Sequence, residues 1–250
     1  IIEEQVKSIR RDLTKKQYSL LPILEKGPMR GYARIYNLAL ELVSHTNAKV
    51  DDKTLINYIK AYQTHSILTN QELWTLSIMI RIAIIEKLRF ICEKIMQSRI
   101  QKRKADKLLD SIVTDGEQEY DKLIKALETQ IKAMNEINPA FLEHLSYRIR
   151  KMGRSGSSIL HIIDQRLAQF GTTLKAVTQK EHNDEAVRKY SIENCIISLK
   201  YISSIDWIEI FESLSISEKY LREDPDGTYP RMDLPSRNYY RNNLEGLARK

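Results

Sequence analysis

Glycine and proline are scarce, at 8 and 6 residues in a chain of 250. So few chain breakers exclude a fold of many short strands joined by tight turns, and they favour long helices with short connections. Cysteine is scarcer, at two. Cys92 and Cys195 each lie in apolar helical stretches, where they read as buried thiols of a reducing compartment rather than as a disulfide. The five histidines are scattered and none stands at ligand spacing from a cysteine, so no metal and no cofactor are expected. Long apolar runs are missing as well. The longest, LWTLSIMIRIAII from Leu73 to Ile85, carries Arg81 in its middle and is too short to cross a bilayer, so it reads as a core helix. No signal peptide is evident. The chain opens Ile-Ile without Met, which reads as a piece of something longer.

What is present is a globular balance, 42% apolar and 29% charged, with a net charge of +7. This length could hold one large domain or two small ones. The one dense basic run, SRIQKRKADK (Ser98 to Lys107), has no interleaved aromatic, so it reads as a solvated helix face, and no nucleic-acid partner is expected.

Helical periodicity runs throughout, with no sustained strand alternation. The first helix is expected at about 3–24, and a second opens with Pro28 near its first turn. A third covers about 51–63. Thr69 and Glu72 have capping-box spacing and start a long helix that extends through Lys104 to Val113. TDGEQEY (Thr114 to Tyr120) should break it before another helix at about 117–137. Asn138 and Pro139 open the next, followed by helices at 158–170, 173–189, 191–203 and 206–222 and a last one from Pro235. The fold class is therefore all-α, a multi-helix bundle of about nine or ten helices with no sheet. KMGRSGSS (Lys151 to Ser158) is the clearest linker. It divides the chain into an N-terminal helical subdomain, 1–152, and a C-terminal one, 153–250, packed on it or continuous with it.

No P-loop, dinucleotide-binding glycine pattern, Ser-His-Asp arrangement or zinc spacing occurs, so no catalytic residue is assigned. Asp206, Glu209 and Glu212 share one side of a helix and could suit glycoside chemistry. Asp206 equally has N-cap spacing, which explains the acids without catalysis. Trp74 and Trp207 could stack on a sugar or simply fill the core. Arg81, set among isoleucines, needs a carboxylate if buried; Asp206, Glu209 and Glu212 are the expected partners. The tail LREDPDGTYPRMDLPSRNYYRNNLEGLARK (Leu221 to Lys250) is rich in tyrosine and arginine, as buried interfaces are. Tyr229 and Met232 should fold back, Asp233 should cap the last helix, and Tyr239, Tyr240, Leu244 and Leu247 offer apolar contacts. Arg237 and Arg241, four apart, should meet acids at Glu212, Glu218 or Glu223.

The segment REDPDGTYPRMDLPSRNYYRNNLEGLA resembles a motif of the cyclic β-1,2-glucan synthases: R-E-D-P-x-G-x-Y, then M-D, then Ser or Thr before R-x-x-Y-R. SIDWIEIFESLSISEKYL resembles the D-W-x-x-F-E-S-x-S run that precedes it. GYARIYNLALELVSHTNAKVD and LTNQELWTLSIMIRIAIIEKLR resemble the N-terminal region of that family. The resemblance runs from about Leu21 to Leu247 and is weakest from Gln97 to Met152. It implies a helical part preceding a membrane-embedded glucosyltransferase that uses UDP-glucose, at the cytoplasmic face of a bacterial inner membrane, with the other domains of the same synthase as partners. The Q-x-x-R-W motif of processive glucosyltransferases is missing here, and the one D-x-D triplet, Asp224-Pro225-Asp226, belongs to the turn that opens the tail. The expected role is accordingly a non-catalytic scaffold. The alternative is a module binding linear β-1,2-glucan through Trp74, Trp207 and Tyr229, or, third, a catalytic glycoside-processing fragment.

Overall fold

The computed structural model describes residues 2–110, 125, 129, 138–152 and 154–248. Among them are eleven α-helices and no strand, and the one extended pairing is an isolated bridge between Ile23 and Ala33. The helices are α1 (Ile2–Asp12), α2 (Lys15–Ser19), α3 (Arg34–His45), α4 (Asp52–Gln63), α5 (Asn70–Asp110), α6 (Pro139–Arg150), α7 (Arg154–Ala168), α8 (Leu174–Ser204), α9 (Trp207–Leu214), α10 (Ile216–Leu221) and α11 (Leu234–Ala248), with a 3-10 turn at Tyr229–Arg231. The all-α expectation holds. The break expected at Thr114 to Tyr120 and the helix at 117–137 lie largely outside the described residues.

Local capping chemistry starts most of these helices. The Thr69 N–H donates to Glu72 Oε2 at 2.9 Å while Glu72 N–H donates to Thr69 Oγ1 at 3.2 Å, the reciprocal box that its spacing predicts. Asn138 Oδ1 accepts from Phe141 N, with Pro139 opening α6. Asp206 caps α9, and Asp233 Oδ1 accepts from Ser236 N at 3.0 Å.

Four boundaries differ from the sequence reading, each for a physical reason. The expected first helix stops at Asp12, because Thr14 and Gln17 form a capping box of their own and start α2. Pro28 opens no helix. Gly27 and Gly31 take positive φ (86° and 85°), and Leu24 pairs with Tyr32 and Gly31 through the backbone at 2.9 and 2.8 Å, so α3 begins only at Arg34. Ser191 does not divide α8. Its hydroxyl donates to Asn47 Oδ1 at 2.7 Å, a tertiary bond that removes it from capping duty. The span 206–222 is two helices, because Ser215 is extended (ψ 118°) and its hydroxyl caps α10 by accepting from Glu218 N.

The chain forms two compact units: residues 1–89 with 191–250, and residues 90–190. The stretch Lys151 to Ser158, expected as a linker, lies within the second, where residues 151 and 152 make the turn between α6 and α7; Gly153 is outside the described residues. The core of the second unit is built from Ala105 and Leu109 of α5, Phe141, Leu145 and Ile149 of α6, Ile159, Ile163 and Leu167 of α7, and the start of α8. At Gly156 the approach is close enough that a Cβ would stand 2.2 Å from the Ile149 carbonyl oxygen, so only glycine fits without a shift.

In the first unit, Ile35, Leu38, Leu42, Leu55, Ile59, Leu76, Met79, Ile80 and Ile84 are buried with Leu199, Ile202 and Phe211. The turn after α3 places Asn47 and Ala48 at positive φ (50° and 61°), uncommon for residues with a side chain. Polar residues of α8 hold it there: Asn194 Nδ2 donates to Asn47 O, and Ser198 Oγ donates to Ala48 O at 2.6 Å while accepting from Val50 N. Cys195 is buried as expected, and burial raises its thiol pKa to about 11. Cys92 is exposed instead. Its neighbour Ile91 is buried, and one helical step turns the thiol away from that face.

Candidate functional site

The tyrosine- and arginine-rich tail does fold back onto its own unit. Asp224 organises the return: its Oδ2 accepts from the N–H groups of Thr228 and Tyr229, both at 2.9 Å, and its Oδ1 from Asp226 N. Gly227, at φ 60°, supplies the left-handed turn residue. Tyr229 is thereby delivered inward and is 3% exposed.

Its hydroxyl donates to Glu218 Oε2 at 2.6 Å. Arg241 of α11 donates through Nε to the same oxygen at 2.7 Å and to the Tyr229 hydroxyl at 3.0 Å, and through Nη2 to Glu212 Oε1 at 2.9 Å. Arg222 bridges both acids, from Nε to Glu218 and from Nη2 to Glu212, each at 2.7 Å. Arg237 Nη1 reaches Glu212 at 2.6 Å. Both Glu218 and Arg241 are 1% exposed. Burial alone would raise the pKa of Glu218, but bonds from Tyr229, Arg241 and Arg222 overcome this and hold it below the usual carboxylate range. Burial and the Glu218 carboxylate together push the Tyr229 phenol up to about 12. The Arg241 guanidinium lies over the Phe211 ring, 5.0 Å from its centroid, and Trp74 stacks on Phe211 at 4.2 Å with ring planes 15° apart.

This arrangement brings together six residues singled out from sequence: Glu212, Glu218, Tyr229, Arg237, Arg241 and, through Phe211, Trp74. Asp233 serves as the expected cap. Arg222 and Phe211 were not anticipated, although Arg222 stands four residues after Glu218, a helical pairing distance. The expected apolar contacts of the tail are only partly realised, since Tyr239, Tyr240 and Leu247 are exposed. The helix turns a fully hydrogen-bonded arginine inward instead.

Arg81 is a correction. It is largely buried, but its neighbours are Asp12 Oδ2 at 3.9 Å and Ser8 Oγ at 3.3 Å, not Asp206, Glu209 or Glu212. Burial lowers its pKa, with Asp12 opposing. Among the acids proposed for it, Glu212 is taken by three arginines, Asp206 accepts from Ile208 N at 2.9 Å as a cap, and Glu209 is exposed. Trp207 is half-buried and its indole N–H is spent on the Ile202 carbonyl at 2.8 Å. Tyr229 is closed off from solvent, whereas Trp74 is 37% exposed. A second pair, Arg34 with Glu72 (Nη2 to Oε2 at 2.6 Å), ties α3 to the start of α5; the capping box marked Glu72 but not this partner.

Chemically, the site is a buried cluster in an all-α unit, with Glu212 and Glu218 held by arginines and a phenol. No group of three or more metal-ligating side chains occurs among the described residues, and no described helix is long and apolar enough to cross a membrane. No family model matches the chain. Over its whole length, however, it is 31% identical to the cyclic β-(1,2)-glucan synthase NdvB of Rhizobium meliloti (strain 1021). The chain belongs to the cyclic β-1,2-glucan synthase family, and it spans 9% of the length of that relative.

Proposed function

We propose that this chain is a non-catalytic helical scaffold of a cyclic β-1,2-glucan synthase. In this reading it precedes the membrane glucosyltransferase part, at the cytoplasmic face of a bacterial inner membrane, with the other domains of that synthase as its partners. One observation carries the reading. In the family-like segment from Asp206 to Arg241, Glu218 and Glu212 serve structure, held by three arginines, and Asp206 sits on a helix end. Paired carboxylates acting on a glycoside need opposed positions about 5–9.5 Å apart across a substrate cleft. Acids already neutralised by arginine in a packed cluster are poor general acids or bases.

The test uses a complete synthase containing this segment and supplied with UDP-glucose. Asp206→Asn and Glu209→Gln should leave glucan formed per intact molecule unchanged. Arg241→Ala should reduce the yield of protease-resistant synthase and lower glucan output in proportion. Loss of turnover in a fully folded Asp206→Asn or Glu209→Gln protein would overturn the scaffold reading.

A further inference from the structure

Beside the ion-pair cluster, and distinct from it, the first unit contains a polar cavity of about 500 Å³. That lies within the range of about 300–1,000 Å³ typical of small-ligand sites. Asn70, Gln71 and Trp74 line it from the first turns of α5, and Asn238, Asn242 and Glu245 from α11. The α11 residues are spaced four and three apart and so share one face of that helix. No lysine, arginine or histidine lines the cavity, and its one carboxylate, Glu245, accepts from the Asn70 N–H at 2.5 Å. Such a lining disfavours phosphates, nucleotides and other anions.

Five side-chain amides, those of Gln17, Asn70, Gln71, Asn238 and Asn242, and an indole suit a neutral polyol. Each amide offers a donor and an acceptor, as each sugar hydroxyl does. An aromatic face accepts the apolar C–H face of a pyranose ring. Phe211 covers one side of Trp74, so the exposed part of the indole is its other face and edge.

Asn70 adds an independent sign. It is 3% exposed, its Oδ1 accepts from Ser215 Oγ at 3.0 Å, and its Nδ2 has no hydrogen-bond partner. A buried donor without a partner is unfavourable, and Asn70 is one of the residues that line the cavity. Asn238 spends its Oδ1 on Arg241, which fixes the side chain in place. Gly246 also lines the cavity, and a Cβ built on it meets nothing within 4 Å.

We propose that this cavity binds a neutral gluco-oligosaccharide, with Trp74 as the stacking platform and Asn70, Gln71, Asn238 and Asn242 as hydroxyl partners. The proposal goes beyond the scaffold reading, and family membership supplies only the choice of probe.

The experiment uses the 250-residue chain carrying Trp207→Phe, which leaves Trp74 as its single tryptophan. Linear β-1,2-gluco-oligosaccharide is titrated against its fluorescence. Saturable quenching or a blue shift is expected. Asn242→Ala should weaken binding about three- to tenfold, the worth of one net hydrogen bond. Gly246→Leu, which fills the cavity from an unobstructed position, should abolish binding while leaving the circular dichroism unchanged. Should Trp207→Phe misfold, calorimetric titration of the otherwise unsubstituted chain with the same two cavity variants gives the same reading. The proposal is overturned by a folded chain that shows no saturable binding, by binding that both cavity variants leave intact, or by a chain that takes UDP-glucose but not the neutral oligosaccharide. Those results leave the scaffold reading untouched, because it is tested by synthase turnover.

Discussion

Replacing Arg241 by alanine should be among the most damaging single changes in the first unit. Its guanidinium is 1% exposed and bonded to Glu218, Glu212, Tyr229 and Asn238. Removing one partner of a buried pair costs about 3–5 kcal/mol when the other charge is stranded. Glu218 would not be wholly stranded, since Arg222 Nε and the Tyr229 hydroxyl still donate to it at 2.7 and 2.6 Å. That places the electrostatic loss nearer about 2–3 kcal/mol. Truncation also removes two methylenes, at about 0.8 kcal/mol each. Together the expected loss is about 4 kcal/mol, a large share of the 5–15 kcal/mol typical of a domain. Urea unfolding followed by tryptophan fluorescence measures it cleanly, because the two tryptophans, Trp74 and Trp207, both belong to the first unit. The midpoint should fall with little change in slope. Glu218→Gln combined with Arg241→Ala should then be less destabilising than the sum of the single changes, by about 1–3 kcal/mol. A loss below about 1.5 kcal/mol for Arg241→Ala, or strict additivity in the double variant, would refute the idea that this pair organises the unit.

Three further outcomes are expected. Arg81→Ala should cost only about 1 kcal/mol by the same urea titration, because its nearest carboxylate, on Asp12, is 3.9 Å away and partly exposed; a loss of several kcal/mol would reveal a stronger partner. Ser198→Ala should cost about 2 kcal/mol, since Ala48 O and Val50 N both lose their side-chain partner where the backbone holds positive φ; native-state hydrogen exchange at Val50 should rise with it. Stability should also depend on pH at both ends. The depressed pKa of Glu218 contributes stability present above the usual carboxylate value of 4.5 and lost as pH falls through its lower folded-state value, whereas the raised pKa of Tyr229 contributes stability present below 10 and lost as pH rises towards about 12. Melting temperature against pH checks both limbs, and Tyr229→Phe should reduce the alkaline one, to which Cys195 and Tyr58 also contribute through their raised pKa values.

Where structure depends on neighbours in sequence, the residues were readable without coordinates. The Thr69–Glu72 box, Asn138 before Pro139, the cap at Asp206 and the cap at Asp233 each need only a few consecutive residues, and each forms. Two local caps were still missed, at Thr14–Gln17 and at Ser215–Glu218, and the other misreadings involve contacts from beyond the segment. Helical periodicity after Pro28 could not reveal that Leu24 pairs across the turn with Tyr32, and Ser191 resembled a helix start until Asn47 proved to be its partner. Arg81 was assigned to the wrong acids for the same reason. Its identity demanded a partner, yet nothing local could decide between Asp12, from α1, and the acids near Glu212.

The site shows the same division in sharper form. The spacing of Arg237 and Arg241, and the acids at Glu212 and Glu218, were visible as a potential set. Which face of α11 turns inward was not, because hydrophobicity favours Tyr239, which is 68% exposed, over Arg241. The buried orientation prevails because Glu218, Tyr229 and Glu212 satisfy the guanidinium before it is desolvated. That choice has a consequence for the cavity. With Arg237 and Arg241 fixed on the acids, the rotation of α11 is fixed too, and Asn238, Asn242 and Glu245 are held in place on the cavity wall. A buried ion-pair cluster can fix orientation as well as stability, and a wall held in advance lowers the ordering cost of binding. Weakening the cluster should therefore loosen the cavity, whereas altering Asn242 or Gly246 should change the cavity and leave the cluster intact. Only the second kind of variant can separate recognition from scaffolding.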